Sequence, residues 1–433
     1  MTDLAIGSTG VAVLLVLLLA GLPIGVSLGI VGFAGLAIVL GPEPAFIKSG
    51  VIVLETLTRY ELGTLPLFLL MAHLCSSANA SRDFFDAAAK LIGHRRGGLA
   101  LASVAGCAGF GAVNGSSLAT AATMGLVALP EMRKRGYADS LATGCIAAGG
   151  TLGQTIPPSG ALIVFGIIAE QSIGKLFTAA IIPGITQLLL YCAVIWLIAT
   201  LKPESAPATS KASGGQRLRA LARVWDLLAL VVLVIWGIAV GWLTPTEAAS
   251  FGAMGALLLC ARRGQLNSAT VVRALRETLV TSGLIFAVII GSLVFSVFVS
   301  VTGVAEAVAG GAVAANLGPV ASMFLVAAVL LLLGSVLDGL ALMLLATPII
   351  LPVVSEFGLS SIWLGIFIVR AMEIGFIHPP IGLNLYVLQG IAPDVSLVRI
   401  FKGVLPFLVS DLLHLALLIV FPMMALWLPS IVG

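Results

Sequence analysis

Charge is the scarcest property of this chain. Asp, Glu, Lys and Arg supply 9% of its 433 residues, hydrophobic residues supply 60%, and the mean hydropathy is +1.17. A soluble domain carries about 25% charged residues, so a water-facing surface cannot be assembled from this composition. Histidine is nearly absent: the four present are scattered and form no cluster with Asp, Glu or Cys. A membrane-embedded enzyme would need such a cluster, so the chain is expected not to be an enzyme. The five cysteines (Cys75, Cys107, Cys145, Cys192, Cys260) sit in or beside apolar segments, are odd in number and lack CxxC spacing. They predict small core residues, with no disulfide framework and no cysteine metal site. A net charge of +3 gives no basic surface for nucleic acid.

What remains is apolar sequence from end to end. Runs such as 188–201 and 229–240 do not alternate apolar and polar residues, as a membrane β-barrel would require. In lipid the other solution is helices, which satisfy their own backbone groups. The fold class is therefore an all-α polytopic membrane protein. The candidate segments are 4–40 (broken at Gly21 and Pro23), 62–80, 97–130, 139–169, 176–201, 226–243, 246–261, 277–302, 318–352, 360–391 and 403–429. The first run lacks a basic flank and reads as a retained helix, not a cleaved signal. Pro203–Gly215 is rich in Ser, Ala, Pro and Gly and reads as a flexible linker.

Orientation follows the cations, which concentrate on the cytoplasmic side. Lys90, Arg95 and Arg96 precede segment 97–130, and Arg133, Lys134 and Arg135 follow it. Both flanks then belong in the cytoplasm. Two crossings need about 40 residues plus a turn, and the segment holds only 34. Its centre, Gly109 to Ser117, is rich in glycine and polar residues, which lipid does not tolerate. The economical solution is a hairpin that turns inside the bilayer, where irregular backbone survives only within protein or beside a watery cavity. Segment 318–352 has no Lys or Arg on either flank and reads as a second hairpin, entering from outside.

Displacing the sequence against itself by 222 residues aligns Leu129-Pro130 with Leu351-Pro352, Gly136 with Gly358, Gly153 with Gly375, and Pro157-Pro158-x-Gly160 with Pro379-Pro380-x-Gly382. Backbone geometry dictates where Pro and Gly can stand, so these coincidences outweigh matching leucines. The basic triplet 133–135 aligns with Ser355-Glu356-Phe357, which has no cation. Together these predict an inverted-topology repeat. Each Pro-Pro pair breaks a long apolar helix and leaves carbonyls and half-helix ends inside the protein, where they can hold cations and anions.

At these residues the chain resembles the large membrane (M) subunit of tripartite ATP-independent periplasmic (TRAP) transporters. The similarity rests on residues 111–123, 147–159, Asp338-Gly339 and 373–386, with segment order agreeing over essentially the whole length. The resemblance implies an elevator-type, sodium-coupled secondary active carrier in the bacterial inner membrane. It further implies a small membrane subunit (Q), expected as a separate chain, and a periplasmic solute-binding protein (P) that delivers an organic acid. Sodium is the coupling ion, and no other cofactor is expected. Two positions depart from the family pattern: His378 stands where Thr is usual, and Arg370 where an Asn-like residue is usual. A histidine beside an ion site could confer pH sensitivity; a neutral imidazole bonded in the core is the simpler reading.

The sodium-binding candidates are Gly111, Asn114, Gly115, Ser116, Ser117, Thr151, Thr155 and Pro157 in one half. In the other they are Ser335, Asp338, Gly339, Gly375, His378 and Pro379. The substrate candidates are Ser117, Ser159, Arg370 and Asn384. An intramembrane carboxylate is costly without a partner, which singles out Asp338. Arg370 and Glu373 are spaced for an i,i+3 pair, as are Asp411 and His414; alternatively Arg370 meets a substrate carboxylate. The organisation expected is 1–96 as scaffold helices, 97–201 as a first transport repeat, 202–302 as a cytoplasmic linker with further scaffold helices, and 303–433 as a second transport repeat with the last helix. A stand-alone ion-coupled organic-anion carrier or exchanger of the same architecture is the alternative.

Overall fold

The computed structural model describes residues 2–314 and 317–432. Among them there is no strand, and twenty α-helices account for most of the chain. The first five are α1 (Asp3–Leu19), α2 (Ile24–Leu40), α3 (Pro42–Thr58), α4 (Thr64–Ser77) and α5 (Ala80–Ile92). Then follow α6 (Gly98–Asn114), α7 (Ser117–Lys134), α8 (Asp139–Thr155), α9 (Gly160–Ile168) and α10 (Ile173–Leu201). The middle of the chain holds α11 (Gly214–Ala239), α12 (Pro245–Arg262), α13 (Ser268–Val301) and α14 (Val304–Ala314). The last six are α15 (Pro319–Gly334), α16 (Gly339–Glu356), α17 (Ser361–Gly375), α18 (Leu383–Ile391), α19 (Leu397–Val420) and α20 (Met423–Val432).

Helices α10, α11, α13, α16 and α19 are each long and apolar enough to cross a bilayer, and α8 with α9 forms a further span bent by 42°. Large apolar side chains such as Trp242, Leu279 and Leu332 are 70% or more exposed. In a chain of this hydropathy such faces are covered by lipid. The protein is a multi-pass membrane protein.

The repeat is visible in the element boundaries. Moving α7 by 222 positions reproduces the limits of α16, and α8, α9 and α10 land on α17, α18 and α19 within a few residues. Even the short α5 maps onto α14. Gly136 and Gly358 both hold positive φ, at 78° and 66°, and both Pro-Pro bonds, Pro157-Pro158 and Pro379-Pro380, are cis. Helices α6 and α7 form the first hairpin, and α15 and α16 the second. Each lies against the broken helix of its own half, α8–α9 and α17–α18.

Close backbone approach explains the glycines where the hairpins cross the broken helices. A Cβ on Gly111 would lie 2.5 Å from the Cα of Gly153, and one on Gly375 would lie 2.6 Å from the Gly334 carbonyl oxygen. The first hairpin strut thus touches α8 backbone to backbone, and the second touches α17 in the same way. Membrane helices use small residues at such crossings because dispersion contact, not water exclusion, must hold them together.

Three helices were not expected. Helices α3 and α5 carry charge along one side, so hydropathy alone does not mark them, and α14 is only eleven residues long, too short to stand out as a span. The final segment also breaks, at Phe421-Pro422, into α19 and α20. The stretch from Pro203 to Gly215 is no free linker. The Ala206 carbonyl accepts from Gly97 N–H at 3.0 Å, Thr209 N–H donates to Gly93 at 3.2 Å, and Ala206 is fully buried. Three backbone bonds, the third from Ala138 N–H to Ser205, pin this strap under α6 and α8.

Candidate functional site

Each hairpin ends at a helix N-terminus that faces a helix break. Gly115 closes α6 in the left-handed region (φ 64°), and Ser116 caps α7, its hydroxyl accepting from Ala119 N–H at 3.4 Å. A residue with Cβ is strained in this turn, which is one reason for glycine here. The turn lies on the first break, since a Cβ on Gly115 would be 3.1 Å from the Pro158 carbonyl oxygen. Ser159 caps α9 beside it, accepting from Leu162 N–H at 3.4 Å. In the second half Asp338 occupies the position of Ser116 and caps α16, accepting from Leu340 N–H at 3.1 Å. Two pairs of helix N-termini, α7 with α9 and α16 with α18, therefore sit at the two tips, and such ends favour negative charge.

The two tips differ in space. Asn114, Gly115 and Pro158 border a cavity of only about 20 Å³. Ser335, Asp338, Gly339 and Gly375 line one of about 230 Å³. Asn114 Nδ2 and His378 Nδ1 are buried without a hydrogen-bond partner. The Ser335 hydroxyl donates to the Leu332 carbonyl at 2.7 Å.

Behind the tips a polar network joins the two halves. Arg370, fully buried on α17, donates from Nη2 to Asp411 Oδ1 on α19 at 2.6 Å and from Nη1 to Thr155 Oγ1 on α8 at 3.1 Å. The Tyr191 hydroxyl on α10 donates to the same carboxylate, 2.8 and 3.0 Å from its oxygens, and lies 2.9 Å from Thr151 Oγ1. Thr151 and Thr155 are one turn apart on α8, so the circuit grips the helix just ahead of its break. Glu373 takes a separate partner: its Oε2 accepts from Ser117 at the first hairpin tip, at 2.5 Å, while Oε1 has none. Asn384 donates to the Ala147 carbonyl at 3.0 Å, tying α18 to α8.

These contacts redraw the ion pairs that spacing suggested. Arg370 and Glu373 share a helix face but do not pair; Arg370 reaches across to Asp411. Asp411 and His414 do not pair either, because His414 Nε2 lies 2.9 Å from Thr186 Oγ1 on α10. A helix offers i,i+3 neighbours by default, and a buried partner on another helix displaces them. The structure brings Ser117, Thr151, Thr155, Arg370 and Asn384 to the seam between the halves. It places Asn114, Gly115, Ser116, Pro157 and Ser159 at the first tip, and Ser335, Asp338, Gly339 and Gly375 around the second. His378 and Pro379 lie in the second break, half-buried. Tyr191 and Thr186 were missed: a tyrosine and a threonine in the 29-residue apolar helix α10 were the available signal.

Paired hairpins facing paired helix breaks define a class, membrane transporters built from repeated halves. In fold the chain is similar to the YdaH transporter of Alcanivorax borkumensis, with a TM-score of 0.57 at 15% identity over 88% of this chain and 89% of that one. The family is settled by sequence. The family model described as "Tripartite ATP-independent periplasmic transporter, DctM component" matches residues 11–424. The chain is 33% identical to the C4-dicarboxylate TRAP transporter large permease protein DctM of Pseudomonas aeruginosa, over 93% of this chain and 94% of that protein. It is 32% identical to the sialic acid TRAP transporter large permease protein SiaM of Vibrio cholerae, over 96% of each. The chain belongs to the large permease (DctM) family of TRAP transporters; it is a transport subunit and not an enzyme.

Proposed function

We propose that this chain is the permease of a sodium-driven importer of small organic anions in the bacterial inner membrane. A small membrane subunit accompanies it, and a periplasmic binding protein supplies the substrate. The observation that carries the reading is the meeting of each hairpin tip with a Pro-Pro break. Sodium is a hard cation suited to carbonyl, hydroxyl and carboxylate oxygens. Around Pro157 these come from Asn114, Ser116 and the freed carbonyls; around Pro379 they come from Ser335, Asp338 and the carbonyls after Gly375. The anion sits between the helix N-termini at the tips, with Ser117, Ser159 and Asn384 nearest. Arg370, already committed to Asp411 and Thr155, positions Thr155 and does not meet substrate.

Segments 97–201 and 303–433 form the moving transport unit, and helices from 1–96 and 202–302 form the scaffold it slides against. Dicarboxylates and sialic acid, named for the two relatives, both carry carboxylates, which supports a small organic anion, a carboxylate or a sulfonate, as the substrate class. The test is uptake into proteoliposomes holding the complete complex, with and without an inward sodium gradient. Uptake indifferent to sodium would remove the coupling, and uptake by this chain alone would favour a stand-alone carrier.

A further inference from the structure

The face that its lysines and arginines assign to the cytoplasm contains a cleft of about 960 Å³ between α5, the end of α7 and the strap at 209–216. Five cations line it: Arg82, Lys90, Arg135, Lys211 and Arg223. Its acids are Asp86 and Glu131, so five positive charges against two negative ones leave three unbalanced. Among the described residues none of the five cations is in an ion pair. Three arginines close by are treated differently. Arg262 and Arg263 pair with Asp226 and Asp83, and Arg133, one turn from the cleft, pairs with Asp139 and Asp394. Three neighbouring arginines thus have carboxylate partners, and the five cations that converge on the cleft have none.

The cleft is also apolar on one wall. Leu126, Val127 and Pro130 contribute to its lining over the buried Phe85, and Leu126 is 66% exposed. A free cytosolic anion has no use for that wall. An amphiphile with a phosphate does: guanidinium and ammonium groups hold the phosphate, and acyl carbons cover Leu126 and Pro130. Basic pockets beside membrane helices on this side take lipid headgroups for the same reason.

We propose that this cleft is a binding site for an anionic phospholipid of the cytoplasmic leaflet. Arg82, Lys90, Arg135 and Lys211 hold its phosphate, and Leu126, Val127 and Pro130 hold the first carbons of its chains. The lipid bridges α5, the strap and the first hairpin. The inference goes beyond the transport reading and does not depend on sodium coupling, because its readout is lipid retention.

The experiment uses the purified full chain, passed from nanodiscs of phosphatidylcholine and phosphatidylglycerol into detergent and weighed by native mass spectrometry. The wild type is expected to keep phosphatidylglycerol adducts. The triple variant Arg82→Gln, Lys90→Gln, Arg135→Gln is expected to lose them, and Arg273→Gln with Arg276→Gln, on the same side but outside the cleft, to keep them. Lys211→Gln with Arg223→Gln is an independent second variant should the triple fail to fold, with the same loss expected. Adducts that persist in the cleft variants overturn the proposal. So does displacement by soluble glycerol phosphate at the concentration of competing phosphatidylglycerol, which would make the cleft a site for a free anion.

Discussion

Substituting Asp411→Asn removes one charge from the centre of the protein and leaves its partner in place. Arg370 and Asp411 are both fully buried, at 2.6 Å, and arginine cannot shed its proton to escape. Breaking a buried pair from one side costs about 3–5 kcal/mol, because the surviving charge is uncompensated. Losing the Tyr191 bond adds less, since an amide oxygen still accepts from it. Removing both charges has a different outcome. Arg370→Met with Asp411→Leu keeps apolar volume, and such replacements are often neutral or stabilising. Thr155 keeps its bond to the Thr151 carbonyl and Tyr191 keeps the Thr151 hydroxyl 2.9 Å away, so each loses a partner without being orphaned, at about 0.5–1.5 kcal/mol each. The double variant should therefore be no less stable than Asp411→Asn alone, and a cycle through Arg370→Met and Asp411→Leu should show coupling of at least about 2 kcal/mol. Unfolding in mixed micelles, followed by tryptophan fluorescence, measures all four proteins. Two single losses that simply add would refute the reading, and so would a loss below about 1 kcal/mol for Asp411→Asn.

Four further outcomes follow from other parts of the molecule. Gly111→Ala puts a methyl 2.5 Å from the Gly153 Cα; backbone cannot turn aside, so stability in the same unfolding assay should fall by about 1–3 kcal/mol. Gly283→Ala, with nothing within 4 Å of its new methyl, should be neutral or stabilising, as helix propensity dictates. Arg59 bonds Glu170 at 3.0 Å across the boundary between proposed scaffold and proposed moving unit. Joining Arg59→Cys to Glu170→Cys with a short thiol crosslinker should stop uptake by the reconstituted complex, and reduction should restore it; undiminished uptake when crosslinked would dismiss that boundary. Arg133 holds the Asp394 carboxyl below its usual range through hydrogen bonds. A lowered folded-state pKa contributes stability above the unfolded value that is lost as pH falls through the folded one. The melting gap between wild type and Asp394→Asn should accordingly be present at neutral pH and close on acidification below the carboxylate range.

Backbone features were legible in the sequence because glycine and proline declare them directly. The turn at Gly115, the breaks at Pro157 and Pro379, and the close crossings at Gly153 and Gly375 each need a residue type that few positions demand. Charge placement supplied the two directions of threading. Partner choice was not legible. Arg370 has Glu373 one turn away, and only the packing of α17 against α19 shows that its guanidinium turns to Asp411. The strap at 203–215 failed for a related reason. Its composition resembles a free linker, but its backbone bonds to Gly93, Gly97 and Ala138 depend on turns distant in sequence. Helices α3 and α5 fell below notice because charged residues interrupt their apolar runs, and α14 because it is too short to read as a span.

The two halves share a backbone and divide the chemistry. At positions related by 222, repeat two has Asp338, Arg370, Glu373, Asp411 and His414 where repeat one has Ser116, Ala148, Thr151, Leu189 and Cys192. The charge of the seam thus lies in one half. The other half answers with hydroxyls: Ser117 to Glu373, Thr155 to Arg370, Tyr191 to Asp411 and Thr186 to His414. Every one of these bonds crosses between repeats. Pulling the halves apart would leave the Arg370–Asp411 pair together but take its hydroxyl partners away, and would strip Glu373 and His414 of theirs in an apolar interior, at a cost far above that of sliding an apolar outer face past its neighbours. A unit joined in this way moves as one body, so any motion that carries a bound solute should take both hairpins with it.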